Sequence, residues 1–149
     1  MNNLKITSVA FKHNGDIPAK YTCQGDNISP PLKVENIPAN AATLALITDD
    51  PDAPRGVWVH WVMWNIPLIN LIDEDSVPEG AVQGVTDFGN NNYGGPCPPS
   101  GKHRYFFKIY ALDTSLDIGE DSGKEELVKA MQEHIVAKGE LIGLYEKKR

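Results

Sequence analysis

The chain has little of what several classes of protein require. Its 149 residues contain 14 Lys and Arg against 20 Asp and Glu, which gives a formal net charge of −6. The basic footprint that nucleic-acid binding normally needs is therefore missing, and general attraction to an anionic membrane is disfavoured. No run approaches the ~20 apolar residues of a membrane helix. We expect neither a nucleic-acid partner nor stable membrane insertion.

Targeting and cofactor signals are also missing. The opening MNNLKITSVAFKHNG has no long apolar run before a small-residue cleavage site, which favours a cytoplasmic location. Neither G-x-G-x-x-G nor G-x-x-x-x-G-K-S/T occurs, so nucleotide cofactors are not expected. We therefore expect no cofactor.

Cysteine is scarce. Cys23 and Cys97 are the two in the chain, and their spacing fits no zinc finger. They could form a disulfide only if the fold brings them together, which a sequence cannot show. Because disulfides are rare in cytoplasmic proteins, we expect two free thiols.

What is present describes a folded, β-rich protein. Hydrophobic residues make up 41% and charged residues 23%, as in ordinary globular proteins. The length fits one domain over residues 1–149. The 13 glycines and 11 prolines are spread along the chain and divide it into short segments. This pattern predicts a mostly β architecture.

Hydrophobic patterns locate the elements. Strands are predicted at 4–11, 42–48, 57–66, 103–112 and 140–145. Strict alternation in the third of these puts Trp58, His60, Val62 and Trp64 on one face and Val57, Val59, Trp61 and Met63 on the other. One helix is predicted where Ser122 and Glu125 form a capping box before apolar residues at helical spacing, and Gly139 is expected to end it.

Residues 87–102, DFGNNNYGGPCPPSGK, form a long segment whose glycines, asparagines and prolines exclude regular structure. A loop of this length in a compact domain is usually either disordered or functional. This one carries Tyr93 and Cys97 and leads directly into the strand that begins at His103. We expect it to be a stiff rim of a functional site.

Chemistry-bearing side chains cluster near the predicted strand ends. The sequence DDPDAP at 49–54 places three carboxylates after a buried strand, although an acidic turn without a function is a common alternative. His60 lies among apolar residues, where a lone histidine is more often a hydrogen-bonded core residue than a ligand-binding one. Together these segments suggest a small polar pocket walled by Asp50 or Asp52, His60 and His103.

Arg104 follows His103 directly and therefore faces the opposite side of a regular strand. It cannot line the same pocket. We expect it to be an ion-pair partner of Asp49, Asp50 or Asp52.

Four chemistries are open to such a pocket. Histidines charged beside a carboxylate could bind an anion. Histidine and aspartate could bind a metal, but no H-x-x-x-H or C-x-x-C spacing supports this. Cys97 could act as a nucleophile with His60 or His103, although it lacks the strand–turn–helix setting. Ser100 has no G-x-S-x-G frame, so serine catalysis is discarded.

Two blocks of residues resemble a known family. DPDAP at 50–54 with His60 in a Trp-rich strand, followed by GPCPPSGKHRY at 95–105, is similar to the signature blocks of the phosphatidylethanolamine-binding proteins, also called Raf kinase inhibitor proteins. The CQG run at 23–25, SPPL at 29–32 and ELIGLY at 140–145 resemble the small bacterial and archaeal branch. The resemblance covers nearly the whole chain.

The resemblance implies a fold and a site. The fold would be an antiparallel Greek-key β-sandwich with one or two short peripheral helices. A small surface pocket would hold the phosphate of phosphorylethanolamine or a similar anion. By motif, the anion-binding positions are Asp50, His60, Gly95, Pro96, His103 and Tyr105. Supporting positions are Asp52, which would orient the site, Cys97 on the rim and the ion-pairing Arg104.

Three functions compete at this point. The first is a non-enzymatic module that binds a phosphorylated or carboxylate anion, with no catalytic residue, metal or cofactor. The second, permitted by the resemblance, is a protein inhibitor of a kinase or serine protease that acts by surface contact. The third is a small hydrolase, for which no complete set of nucleophile, base and orienting group is present. The resemblance also implies a homodimer.

Overall fold

A computed structural model describes residues 2–148 of the chain. These residues form ten strands, one α-helix and one 3-10 helical turn at Ala19–Tyr21. The first five strands are β1 (Asn2–Asn3), β2 (Lys5–Thr7), β3 (Gly15–Asp16), β4 (Leu32–Glu35) and β5 (Thr43–Asp50). The others are β6 (Trp58–Ile66), β7 (Leu71–Ile72), β8 (Val82–Gln83), β9 (His103–Leu112) and β10 (Ile135–Tyr145), with helix α1 at Lys124–Met131.

The strands form two sheets. The larger has the order β1-β10-β9-β5-β6-β8, with β3 also pairing with β10, and the smaller has the order β2-β4-β7. All pairings are antiparallel except those of β1 and β3 with β10. The prediction of a mostly antiparallel β fold with one or two short helices is confirmed. Greek-key connectivity stays a prediction.

Both faces of the large sheet are covered. On one face, Leu32 and Val34 of the small sheet share a core with Leu46, Trp61 and Phe107. On the other face, helix α1 and its flanking segments pack over a second core, made by Ala45, Ile47, Val59, Val62, Trp64, Leu112, Leu116, Leu127 and Met131. Burial on both faces explains why β5 and β6 are apolar almost throughout.

An irregularity at His60 breaks the strict alternation predicted for β6. Thr48 of β5 pairs with Trp61 of β6, but the next residue of β5, Asp49, pairs with Val59. His60 is therefore an extra residue of β6 that has no partner on β5. Val59 therefore joins Val62 in the helix-side core, whereas Trp61 faces the other core. The prediction that Val59 and Trp61 share a face is wrong, because a β-bulge shifts the phase of the side chains.

The helix prediction was wrong at both ends. Helix α1 starts one residue later than the capping box implied: the Gly123 N–H donates to Glu126 Oε1 at 2.7 Å, while the Ser122 carbonyl is taken by the Val85 N–H. Helix α1 ends at Met131, and Gly139 lies inside β10. A Cβ on Gly139 would stand 2.3 Å from the Leu4 carbonyl oxygen. Gly139 therefore allows the backbone of Leu4 to approach β10 closely, and it does not end the helix.

Strand lengths also differ from the prediction. Of residues 4–11 only Lys5–Thr7 pair as a strand, and the last strand begins at Ile135 instead of residue 140. Ten paired positions with β9 hold β10 in an extended conformation, so sheet pairing overrides the helical spacing of its first residues. Residues 87–102 contain no helix or strand, as predicted.

Candidate functional site

A cavity of about 340 Å³ opens where β5 ends and β6 and β9 begin. The turn after β5 and the loop of residues 87–102 complete its wall. Five of the residues expected at the site line it: Asp50, His60, Cys97, His103 and Tyr105. The sheet brings them together because β5 is paired with both β6 and β9.

Asp50 is fully engaged by the protein. Its Oδ2 lies 2.7 Å from His103 Nδ1, and its Oδ1 accepts the Asp52 backbone N–H at 2.8 Å. Its exposed fraction is 3% and that of His103 is 6%. Because a carboxylate accepts hydrogen bonds, His103 Nδ1 carries a proton, and Nε2 is the ring nitrogen that remains free to contact a ligand. Asp50 therefore orients the imidazole and supplies a negative charge behind it.

His60 is held in a different way. Its Nδ1 lies 2.7 Å from the Gly94 carbonyl oxygen, which can only accept, so Nδ1 is protonated. The ring is 4% exposed, and burial lowers the pKa of His60 below its ordinary value, against the opposing Gly94 carbonyl and nearby carboxylates. Among residues 2–148, no protein atom hydrogen-bonds Nε2 of either His60 or His103.

Tyr105 lies between the two histidines. Its ring is edge-on to His60, with centroids 5.2 Å apart, and stacks on His103 at 6.4 Å. The side chain is 1% exposed, and its hydroxyl has no hydrogen-bond partner within the described chain. Burial raises the pKa of Tyr105, and the Asp50 carboxylate raises it further. The hydroxyl therefore keeps its proton, with the Asp50 carboxylate and the Cys97 backbone as polar neighbours.

An apolar collar surrounds these polar groups. It consists of Ala53, Pro54, Trp58, Phe88, Pro98 and Pro99. The Phe88 ring packs edge-on against both Trp58 and His60, with centroids 5.5 and 5.2 Å away. A Cβ on Gly94 would stand 2.3 Å from the Phe88 ring, so the glycine makes room for it. Phe88 is not among the site residues predicted from the sequence, although it lies in the loop predicted to be functional.

Asp52 and Arg104 lie outside the cavity and stabilise its wall. Arg104 donates to Asp52 through the backbone N–H, Nε and a terminal nitrogen, each at 2.9 Å. These bonds lower the pKa of Asp52 to about 2. Of the three carboxylates considered as partners of Arg104, Asp52 is the one it contacts. Because the Asp52 N–H binds Asp50, the pair stiffens the turn that presents Asp50.

Gly95 and Pro96 were expected on the pocket rim but lie behind the wall. The Gly95 N–H donates to Asn27 Oδ1 at 2.8 Å, and the Pro96 carbonyl accepts the Cys23 N–H at 3.1 Å. A Cβ on Gly95 would stand 2.4 Å from the Tyr21 carbonyl oxygen, so only glycine permits this approach. Both residues attach the loop to the segment that follows the 3-10 turn.

The expectation of two free thiols is wrong. Cys23 and Cys97 form a disulfide across 74 residues of sequence, with Cα atoms 5.5 Å apart. The approach of Gly95 to the turn beyond Tyr21 brings the two cysteines within reach, which no local pattern could reveal. A disulfide-bonded Cys97 has no thiolate, so the cysteine-nucleophile chemistry is not open to this form.

Two imidazoles and one phenol line one small cavity, so these side chains can form hydrogen bonds to a ligand and can carry charge. Within residues 2–148, no group of three or more His, Cys, Asp and Glu side chains is arranged to hold a metal ion. No helix in this range is long and apolar enough to cross a membrane.

Comparison with known families decides the relationship. The family model for phosphatidylethanolamine-binding protein matches residues 7–146. The chain belongs to the phosphatidylethanolamine-binding protein family. The resemblance drawn from the two sequence blocks is thereby confirmed.

Relatives within the phosphatidylethanolamine-binding protein family match end to end. A UPF0098 protein of Methanothermobacter thermautotrophicus is 49% identical over 97% of this chain and 99% of its own length. CT736, a homolog from Chlamydia trachomatis, superimposes with a TM-score of 0.94 at 44% identity, covering 99% of this chain and 100% of that one. E. coli YbcL gives a TM-score of 0.91 at 31% identity, covering 98% and 99%.

Proposed function

We propose that this protein is a binding module for a small anion, a phosphoryl or carboxylate group carried by a ligand or a partner. The observation that carries the proposal is the unsatisfied Tyr105 hydroxyl, a buried donor beside two imidazoles whose Nε2 atoms no protein group occupies. A buried polar group without a partner is uncommon in proteins and is costly. A bound oxyanion would accept from it.

Charge balance gives the proposal a sign. Asp50 places a negative charge against His103, so an anion enters more favourably when an imidazole gains a proton. A protonated His103 would neutralise Asp50 and turn Nε2 into a donor. A phosphate monoanion adds a second route, because its own hydroxyl can donate to a neutral imidazole Nε2. Binding should therefore take up protons and be tighter at lower pH.

The test is calorimetric titration of inorganic phosphate and of O-phosphorylethanolamine at mildly acidic and mildly alkaline pH. Wild type is compared with His103→Ala. The matched control is His134→Ala, because His134 also contacts a carboxylate through Nδ1, Asp113 Oδ1 at 2.8 Å, but lies outside the cavity. We expect saturable binding that weakens with rising pH and is lost only in His103→Ala.

Three results would contradict this function. Affinity that is equal at both pH values would remove the role of the histidines. Binding that persists in His103→Ala would put the site elsewhere. No binding to wild type at either pH would turn attention to inhibition of a kinase or serine protease. That activity should survive replacement of both His60 and His103 by Ala if it depends on surface contact alone.

Three expectations about context stay predictions. A homodimer can be checked by sedimentation. A non-catalytic role can be checked by finding the titrated phosphate ester intact after long incubation. Cytoplasmic location now has a contrary observation, since disulfides persist mainly in oxidising compartments. Cell fractionation with rapid thiol alkylation would report both the compartment and the state of the cysteines.

A further inference from the structure

The Cys23–Cys97 disulfide lies at the edge of the anion cavity. Both cysteines are exposed, and Cys97 lines the cavity whereas Cys23 does not. Exposed disulfides are the ones most open to exchange with thiols in solution. This bond therefore combines accessibility to a thiol with direct contact to the candidate site.

The loop on the two sides of Cys97 is held differently. Before it, the Tyr93 hydroxyl donates to the Tyr21 carbonyl at 2.7 Å, and the backbone of Gly94 and Pro96 bonds to His60 and Cys23. From residue 97 to residue 102, no backbone–backbone hydrogen bond is made to any described residue. Pro98 and Pro99 of this stretch line the cavity. The disulfide is therefore a principal bond that holds residues 97–102 in the wall of the cavity.

The other half of the bond is on a rigid turn. Thr22 is fully buried, its Oγ1 donates to the Ala19 carbonyl at 2.9 Å, and it accepts the Gln24 N–H at 3.2 Å. A Cβ on Gly25 would stand 2.3 Å from that same carbonyl oxygen. Because this turn and residues 93–96 bind each other without the sulfur bond, an opened disulfide would keep its two thiols close and could re-form.

We propose that the Cys23–Cys97 disulfide is a thiol-exchange site, at which a low-molecular-weight thiol opens the wall of the cavity and the corresponding low-molecular-weight disulfide closes it. Its effect on ligand affinity rests on the proposed function, but the exchange itself does not. Neither of the two hydrophobic cores on the faces of the large sheet includes Cys23 or Cys97, so the two sheets are expected to stay folded when the disulfide opens.

The chemistry balances with the thiol as reductant. A thiolate RS⁻ attacks one sulfur, forms a mixed disulfide with it and releases the other cysteine as thiolate. A second RS⁻ attacks the R sulfur of the mixed disulfide and releases the remaining cysteine as thiolate, so two thiols are oxidised to RSSR and the protein disulfide is reduced. In the reverse direction, one protein thiolate attacks RSSR, forms the mixed disulfide and expels RS⁻; the other protein thiolate then attacks the mixed disulfide and expels the second RS⁻, so RSSR is reduced as the protein disulfide re-forms.

The two mixed disulfides have different consequences. A group attached to Cys97 would enter the cavity wall beside Tyr105 and compete with the anion. The same group on Cys23 would stand outside. Opening without an adduct frees residues 97–102, and if the closed wall is then populated about one-tenth of the time, affinity falls about tenfold.

The first experiment follows wild type in increasing dithiothreitol. Mass spectrometry counts the thiols, circular dichroism reports the fold, and NMR order parameters are measured on the backbone amides of residues 97, 100, 101 and 102 and, as an internal control, on β9. We expect reduction with the fold intact and lower order parameters confined to 97–102. Reduction only at the rate of global unfolding, or reduced protein with unchanged order parameters, would overturn the proposal whether or not the protein binds anions.

The second experiment separates the two cysteines. Cys23→Ser retains Cys97, and Cys97→Ser retains Cys23, so both lack the disulfide equally. Each is labelled with a methanethiosulfonate, and phosphate affinity is measured before and after. We expect labelling to abolish binding in Cys23→Ser and to leave it unchanged in Cys97→Ser. Equal effects in the two variants would overturn the link to the cavity, whereas oxidised wild type that never binds phosphate would overturn the proposed function instead.

Discussion

Asp49 and Asp50 are adjacent buried carboxylates at the end of β5, and their side chains serve opposite faces of the large sheet. They are 2% and 3% exposed. Asp49 Oδ2 lies 3.2 Å from Lys108 Nζ and 2.8 Å from Lys124 Nζ, which ties helix α1 to β9. Asp50 faces the cavity and contacts His103 at 2.7 Å.

The partners decide what each carboxylate can do. Two lysine ammonium groups contact Asp49, so this cluster acts as a structural connection between helix α1 and β9. The partner of Asp50 is an imidazole, whose second ring nitrogen can donate to a ligand or accept from it. The same residue type at neighbouring positions therefore supports stability on one face and, under the proposed function, ligand binding on the other.

The largest effect is expected from Asp49→Asn. Removing the charge leaves two lysines beside a buried amide, and breaking a buried pair costs up to 3–5 kcal/mol. Because both lysines are partly exposed, we expect a loss of about 2–3 kcal/mol in the free energy of unfolding, measured in urea. Phosphate affinity should be unchanged. A large loss of affinity without loss of stability would show that Asp49, and not only Asp50, acts at the binding site.

Asp50→Asn is the matched substitution on the other face. We expect phosphate affinity to fall about tenfold, about 1.4 kcal/mol, because His103 loses the carboxylate that orients its imidazole and keeps the proton on Nδ1. Stability should fall less than in Asp49→Asn, by about 1 kcal/mol, since an amide oxygen can replace one of the two lost acceptors. Calorimetry and urea unfolding on the same samples make the comparison, and unaltered affinity would argue against the anion site.

His60→Gln sharpens the comparison through pH. The pKa of His60 is lowered in the folded protein by burial, so on acidification the unfolded chain takes up this proton first. Stability from this group is therefore present above the ordinary histidine pKa and lost as pH falls below it, with a slope under about 1.4 kcal/mol per pH unit. Its charged neighbours are Asp50, Asp49 and Asp87. When the free energy of unfolding, measured in urea at several pH values, is plotted against pH, the slope should be shallower in the variant than in wild type.

The smallest effect is expected from Arg104→Gln, which alters only the support of the turn. Arg104 is half exposed, so the stability loss should be the smallest of the four substitutions. The pKa of Asp52, about 2 in wild type, should rise toward its ordinary value when followed by NMR. In wild type, the ionised Asp52 stabilises the fold until the pH falls to about 2. In the variant, this stabilisation should be lost at a higher pH. An unshifted Asp52 would contradict the role of the ion pair.

Part of the site could be predicted from the residues because it is local. Alternation in β9 placed His103 and Tyr105 together and Arg104 opposite, and the regular strand kept that pattern. His60 sits at a bulge, so the same reasoning assigned its neighbours wrongly. Helix α1 was predicted one residue too early, because the Ser122 carbonyl pairs with Val85, far away in sequence.

The sequence by itself determined the β-rich fold, the irregular loop and the two blocks that indicated the family, since composition, periodicity and motif spacing are properties of the chain alone. Only the tertiary structure decided that Asp50 binds His103, that Asp49 binds two lysines, and that Gly95 and Pro96 lie behind the wall. It also decided that Cys23 and Cys97 meet. Each of these depends on segments distant in sequence coming within a few ångströms, and sheet pairing, which brings them there, leaves no local mark.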